Sequence, residues 1–184
     1  THNGSRFDLG DKVAIEPASP CGVCRYCLRG RHNLCSDGGF MGASGTPAGL
    51  REFILCEEDQ LGRLESGTTF EEGAMVEPLG IAYHAVRLSK LQIGDSVAIF
   101  GAGAIGLLIT ALAKLGGASK VFVVDKLAYR LDNAKNIYDA DQIIEEGSGD
   151  SIQKIKEATS GHGVDVAFDA AGMQNTVDGC FQVA

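Results

Sequence analysis

The sequence predicts an α/β protein in two parts: a β-rich front portion built of short strands and loops, then the first half of a doubly wound parallel sheet. Three observations carry this expectation. Residues 1–79 mix brief apolar runs with glycine-rich turns, such as KVAI (12–15) and GGFMGASGTPAG (38–49). Residues 80–184 alternate short apolar runs with stretches of helical periodicity, the order that places parallel strands between covering helices. A glycine-rich turn, FGAGAIG (100–106), joins the first of those strands to the first of those helices.

In the front part, 12–15 reads as a strand, 51–55 (REFIL) as another, and the glycine-crowded stretch between them as loop. The opening THNGSRFDLGDKV reads as the entry to a strand and begins in mid-stream. In the second part, VAIF (97–100) is a strand that ends at glycine, and AIGLLITALAKLG carries apolar positions at helical spacing. KVFVVD (120–125) repeats the strand signal, and LAYRLDNAKNIYDA (127–140) predicts an amphipathic helix. DQII (141–144), a helix over about 150–160, and VDVAFDAAG (164–172) continue the alternation.

The bulk numbers limit the function classes. With 184 residues and 45% hydrophobic content, the chain can bury a core. A net charge of −8 argues against a nucleic-acid or anionic-membrane surface. No apolar run is long enough to span a bilayer and no charged-then-apolar leader is seen, so a cytoplasmic location is expected. Six cysteines in such a chain point to reduced thiols or a metal site.

Four of those cysteines fall within fifteen residues, CGVCRYCLRGRHNLC (21–35). Cys21, Cys24, Cys27 and Cys35 give C-x2-C-x2-C-x7-C, and a compact loop of this kind can offer four sulfurs to one tetrahedral zinc. Gly22 and Gly30 ease its turns. Arg25, Arg29 and Arg31 stand ready to offset the negative charge of four thiolates. Two other readings are buried cysteines without metal and an iron–sulfur cluster. The bacterial cluster pattern continues x3-C-P, whereas here seven residues intervene. Cys56 and Cys180 lack partners at ligand spacing and read as core residues, and His32 is surplus to a complete four-sulfur shell.

In the glycine turn, Gly101, Gly103 and Gly106 form G-x-G-x-x-G between a strand and a helix, with a second strand ending at Asp125. That context is the dinucleotide fingerprint. Gly101 permits the tight turn, Gly103 lets a pyrophosphate approach the backbone, and Gly106 allows the helix to pack closely on the sheet. The helix N-terminus offers backbone N–H groups to phosphate, and the segment from Ala102 through Ala104 to Ile105 supplies backbone amides more than side-chain chemistry. Asp125 can accept hydrogen bonds from both ribose hydroxyls and would repel a 2′-phosphate, which favours NAD over NADP. Arg130 lies against the adenosine portion or simply on an exposed helix face.

EEGAMVEPLGIAYHAV places Glu77 before a proline near a helix start, and His84 on the same helix. Taken alone, Glu77 reads as a capping or solvated residue and His84 as a partly buried structural one. Together, however, GDKVAIEP, the four-cysteine lobe, the glycine-rich loop before REF, VEPLGIAYHAV and GAGAIG resemble the zinc-containing medium-chain alcohol and polyol dehydrogenases over nearly the whole chain. VEPL looks most like the sorbitol/xylitol dehydrogenase branch. The resemblance implies that residues 1–79 are the latter part of a GroES-like catalytic domain with a structural zinc lobe. It implies that residues 80–184 are a partial Rossmann NAD-binding domain. It places Glu77 at a catalytic zinc, as a ligand or through water and substrate, and Ile105, Asp125 and Arg130 beside NAD. It also implies a small alcohol or polyol substrate and a homo-oligomeric parent. The family's other catalytic-zinc ligands lie upstream of the position matching Thr1, so the expectation is a central portion of a longer enzyme, with negligible turnover alone. Threonine- or sugar-oxidising relatives, and a non-catalytic zinc- and nucleotide-binding module, are the alternatives.

Overall fold

The computed structural model describes residues 4–43, 48–147 and 149–184. The stretch 44–47, inside the expected glycine-rich loop, and the first three residues of the expected strand entry lie outside the described residues. The chain divides into two compact units, Thr1–Val76 and Glu77–Ala184.

The first unit is built on two small antiparallel pairings. Strand β1 (Val13–Ile15) pairs with β4 (Leu61–Arg63), and β2 (Ala18–Ser19) with β3 (Gly39–Phe40). A short helix, α1 (Phe70–Ala74), starts at Thr69, whose hydroxyl accepts from the Glu72 N–H while the Glu72 carboxylate accepts from the Thr69 N–H. The expected strand over 51–55 does not form; the partner of β1 is the less apolar Leu61–Arg63. A strand exists only where a neighbour takes its N–H and C=O groups. Among the described residues none pairs with 51–55, and Phe53 and Leu55 stand 87% and 98% exposed.

The core of the second unit forms around a four-stranded parallel sheet in the order β7-β6-β5-β8. Its strands are β5 (Ser96–Phe100), β6 (Lys120–Asp125), β7 (Gln142–Glu145) and β8 (Val166–Asp169). Val97 through Phe100 and Val121 through Val124 are buried on both faces, as continuous apolar runs in a covered parallel sheet must be. Helix α2 (Val76–Ser89) leads in; α3 (Ala104–Leu115) and α4 (Ala128–Asn136) cover one face, where Ile109, Ala113, Leu131 and Ala134 meet Val97, Ile99, Val121 and Val123. Helices α5 (Ser151–Ala158) and α6 (Gln174–Val183) supply Ile155 and Val183 to the opposite face, against Ala98, Phe100, Phe122 and Val124.

Two expectations shift here. The helix expected to run to residue 140 stops at Asn136, because Asp139 takes a left-handed φ of 57° and Lys135 Nζ donates to the carbonyls of Ala140 and Asp141 at 3.0 Å each. The chain therefore turns early into β7. Cys180 borders the second core only partly buried, and Cys56 is likewise intermediate, so neither is a true core residue.

The chain passes from β7 through α5 to the far side of β5, so strand order reverses between β5 and β8. In open α/β sheets the crevice beyond the carboxyl ends of the strands at such a reversal is where ligands bind.

Candidate metal and nucleotide sites

The four loop cysteines converge. Their Sγ atoms all lie within 4.8 Å of one another, with Cys24 to Cys27 at 3.5 Å and Cys24 to Cys35 at 4.0 Å. A tetrahedron with metal–sulfur bonds of about 2.3 Å has sulfur–sulfur edges of about 3.8 Å, so the donor set fits a single zinc ion. Two one-turn 3₁₀ helices, Cys27–Arg29 and His32–Leu34, fold the loop back on itself, with Gly22 and Gly30 both at positive φ.

Backbone amides prepare the sulfurs. The N–H of Cys21 donates to Cys35 Sγ at 3.3 Å, that of Cys24 to Cys21 Sγ at 3.4 Å, and that of Cys27 to Cys24 Sγ at 3.5 Å. Such donors favour the thiolate. The Cys27 amide is the main reason the Cys24 thiol falls to about 6, and the Cys21 amide likewise lowers Cys35. Burial pushes Cys27, 6% exposed, up to about 12, since a metal-free thiolate there would be both desolvated and crowded by its neighbours. None of the six cysteines is joined in a disulfide. The arginines expected to offset thiolate charge stay at the exposed surface of the loop; Arg25 bonds the Tyr26 hydroxyl at 2.7 Å and lies over its ring. His32 is exposed.

A cleft of about 680 Å³ opens at the carboxyl ends of β5, β6 and β8. Gly101, Gly103, Asp125 and Arg130 line it together, while Ala104, Ile105 and Gly106 do not. Ile105 packs its side chain into the α3 face of the core and stands in the first turn of that helix. Each fingerprint glycine has a distinct physical reason. Gly101 sits at φ 108°, and a Cβ there would lie 2.9 Å from the carbonyl carbon of Ala170. A Cβ on Gly106 would collide with the Gly101 carbonyl oxygen. At Gly103, φ is −75° and nothing lies within 4 Å of a Cβ, so the backbone there borders open space in the cleft.

Asp125 is 9% exposed at its side chain and already holds two turns. Its Oδ2 accepts from the Ala102 N–H at 2.7 Å and its Oδ1 from the Leu127 N–H at 2.9 Å. A carboxylate offers about four acceptor positions, so two remain for hydroxyls. The Arg130 guanidinium stands 3.9 Å from Oδ2 and also donates to the Tyr129 hydroxyl. The Tyr129 oxygen is the leading reason its pKa is raised further.

Glu77 lies in the first turn of α2 and is exposed, as is His84, contrary to the partly buried histidine expected. Among the described residues the four cysteines are the sole group of three or more His, Cys, Asp or Glu donors close enough to share an ion, so Glu77 is not gathered into a second one. Residues the sequence reading missed form the far wall of the cleft: Ala170 and Ala171 after β8, then Met173, Thr176 and Gly179. The signal was present as an aspartate followed by small residues at a strand end.

A β-rich unit with a four-sulfur loop, followed by a nucleotide-type parallel sheet, defines a zinc-containing dehydrogenase class. The alcohol dehydrogenase GroES-like domain matches residues 1–66 and the zinc-binding dehydrogenase domain matches residues 104–184. The chain belongs to the zinc-containing alcohol dehydrogenase family. It is 37% identical over 167 residues to sorbitol dehydrogenase of Bacillus subtilis, covering 91% of this chain and 47% of that protein. It is 40% identical over 173 residues to a protein assigned as D-xylulose reductase A in Aspergillus terreus, covering 92% and 49%. An Escherichia coli oxidoreductase of unknown specificity superposes with a TM-score of 0.90 at 35% identity, covering 97% of this chain and 51% of that one. A Sinorhizobium meliloti protein assigned as a zinc-binding dehydrogenase and solved bound to NADP superposes with a TM-score of 0.90 at 31% identity, covering 97% and 52%. The chain spans about half the length of the curated relatives it matches.

Proposed function

We propose that this chain carries the structural-zinc lobe and the dinucleotide cleft of an NAD-dependent dehydrogenase that oxidises a polyol or secondary alcohol. The observation that carries the reading is the presence, in one chain, of four converging cysteine sulfurs and a glycine-turn cleft. Sorbitol dehydrogenase and the assigned xylulose reductase among its relatives support a polyol over a simple alcohol. Threonine- and sugar-oxidising relatives share the scaffold, and substrate oxidation data on the whole protein separate them.

In this reading residues 1–79 belong to the catalytic domain and residues 80–184 to the NAD-binding domain. Cys21, Cys24, Cys27 and Cys35 hold a zinc that braces the lobe. Bound NAD would supply a hydride acceptor, and a catalytic zinc, for which this chain offers Glu77 alone, would supply Lewis acidity toward the alcohol. The chain's own residues bind and orient. Gly101 and Gly103 bring backbone to the pyrophosphate, and the first turn of α3, Ala104 through Gly106, turns its amides and dipole toward it. Asp125 accepts the ribose hydroxyls, Arg130 lies along the adenosine, and Glu77 would meet a catalytic zinc as a ligand or through water and substrate. The parent is a homo-oligomer in the cytoplasm, acting on a small molecule and not on nucleic acid. No described helix is long and apolar enough to cross a membrane.

Binding titrations on the purified chain test this. NADH should bind more tightly than NADPH, since the Asp125 carboxylate opposes a 2′-phosphate. Asp125→Ala should cost about 1–3 kcal/mol of NADH affinity from two lost hydrogen bonds to a charged acceptor. Equal affinity for both cofactors, or an unchanged constant in the variant, would remove Asp125 from the ribose.

A further inference from the structure

The cleft has two walls, and each is tied down by an aspartate at a strand end. The glycine-turn wall is held by Asp125 through the Ala102 N–H. On the other side, Asp169 ends β8, and its Oδ1 accepts from the Ala171 N–H at 3.1 Å, the Gly172 N–H at 3.1 Å and the Thr176 hydroxyl at 2.8 Å. Thr176 has one proton to give, and the Met173 carbonyl also lies 2.8 Å from its oxygen. The charged carboxylate is the stronger acceptor and takes it. One oxygen thus closes the turn 170–172 and joins it to the first turn of α6.

That turn sets the width of the cleft. Ala170 and Ala171 line it, the Ala170 N–H donates to the Phe100 carbonyl at 2.8 Å, and the Ala170 carbonyl carbon lies so near Gly101 that only a glycine fits opposite. Register places Phe100 beside both Val124 and Asp169, so the ends of β6, β5 and β8 stand side by side at one level. Adjacent strands are about 4.8 Å apart, which puts the Asp125 and Asp169 strand ends about 10 Å apart across the glycine turn. With the ribose of the adenosine half at Asp125 and the pyrophosphate over Gly103, the remaining half of the dinucleotide extends toward the 170–172 turn.

We propose that Asp169, assisted by Thr176, is a positioning residue that fixes the 170–172 turn as the wall for the nicotinamide-bearing half of the cofactor. This rests on the dinucleotide reading of the cleft and assigns it a second aspartate with a different task. Asp125 meets the ligand; Asp169 acts through backbone it holds.

The two halves of the cofactor separate these tasks. Titrations with NADH and with AMP are made on the parent chain and on Asp169→Ala, Asp169→Asn and Thr176→Val. Loss of the three-bond acceptor, partly offset by water at this exposed position, should weaken NADH about tenfold and leave AMP within about twofold. Asp169→Asn keeps the acceptor oxygen and should stay within about threefold of the parent for NADH, and Thr176→Val should fall between Asn and Ala. Equal loss of AMP and NADH in Asp169→Ala would show general destabilisation and overturn the assignment. Unchanged NADH binding, or Asn as damaging as Ala, would overturn it as well. A parent chain that binds neither ligand fails differently: it removes the dinucleotide reading, and this assignment with it.

Discussion

Replacing Gly103 with alanine isolates the space that the glycine turn leaves for a ligand. At this position φ is −75°, which any L-residue adopts, and an added Cβ meets nothing within 4 Å. The folded chain therefore has no reason to lose stability, and restricting the unfolded backbone should add about 0.4–1 kcal/mol. A bound pyrophosphate passing over the same backbone would meet the new methyl. Forcing a methyl into a packed contact costs about 1–3 kcal/mol, so the NADH dissociation constant should rise roughly 5- to 150-fold. Gly101→Ala supplies the contrast. Its φ of 108° and the Ala170 carbon 2.9 Å from the built Cβ load the cost onto the folded state. Backbone strain of about 1–3 kcal/mol and overpacking of about 1–3 kcal/mol should lower its unfolding midpoint sharply. Thermal unfolding by circular dichroism and NADH fluorescence titration read the two effects separately. A Gly103→Ala chain that binds NADH within twofold of the parent would mean that no phosphate crosses this turn.

Elemental analysis of reduced, purified chain should give one zinc per chain, with Cys24→Ser and Cys27→Ser depleted and Cys56→Ser unchanged; visible absorption from an iron–sulfur cluster would refute the zinc reading. Asp165 Oδ2 accepts from the N–H and the hydroxyl of Ser96, both at 2.7 Å, tying the starts of β8 and β5 together. The Ser96 amide is the main reason its carboxyl lies below the ordinary 3.8. A depressed carboxyl stabilises the fold above that unfolded value and loses its effect as pH falls through the native one. Urea midpoints should show Asp165→Asn less stable than the parent at pH 6. The gap should close below pH 3.8, and a gap independent of pH would remove the ionised carboxylate from the account.

Most of the second unit was legible along the chain because its physics is local. Apolar runs at 97–100 and 120–125 became β5 and β6 with both faces covered, and the helix expected from AIGLLITALAKLG began at Ala104. A parallel strand buried on both faces announces itself by composition, and a glycine turn by backbone need. The cysteine spacing likewise announced a common point for four sulfurs before any geometry was known, since short intervals leave a compact loop few other arrangements.

Pairing and proximity needed the folded chain. REFIL has the composition of a strand, yet β1 pairs with Leu61–Arg63, because a strand is defined by a partner that no window of sequence contains. Helix α4 ends early through a lysine reaching two carbonyls beyond it. The far wall of the cleft came from residues 170–179, nearly seventy positions beyond the glycine turn it faces, joined to it only when β8 aligns beside β5. Along one chain the residue types and their local periods set which elements form. Which elements touch, and hence which strand ends come to border one cleft, is decided by contacts between distant residues that only folding brings within reach.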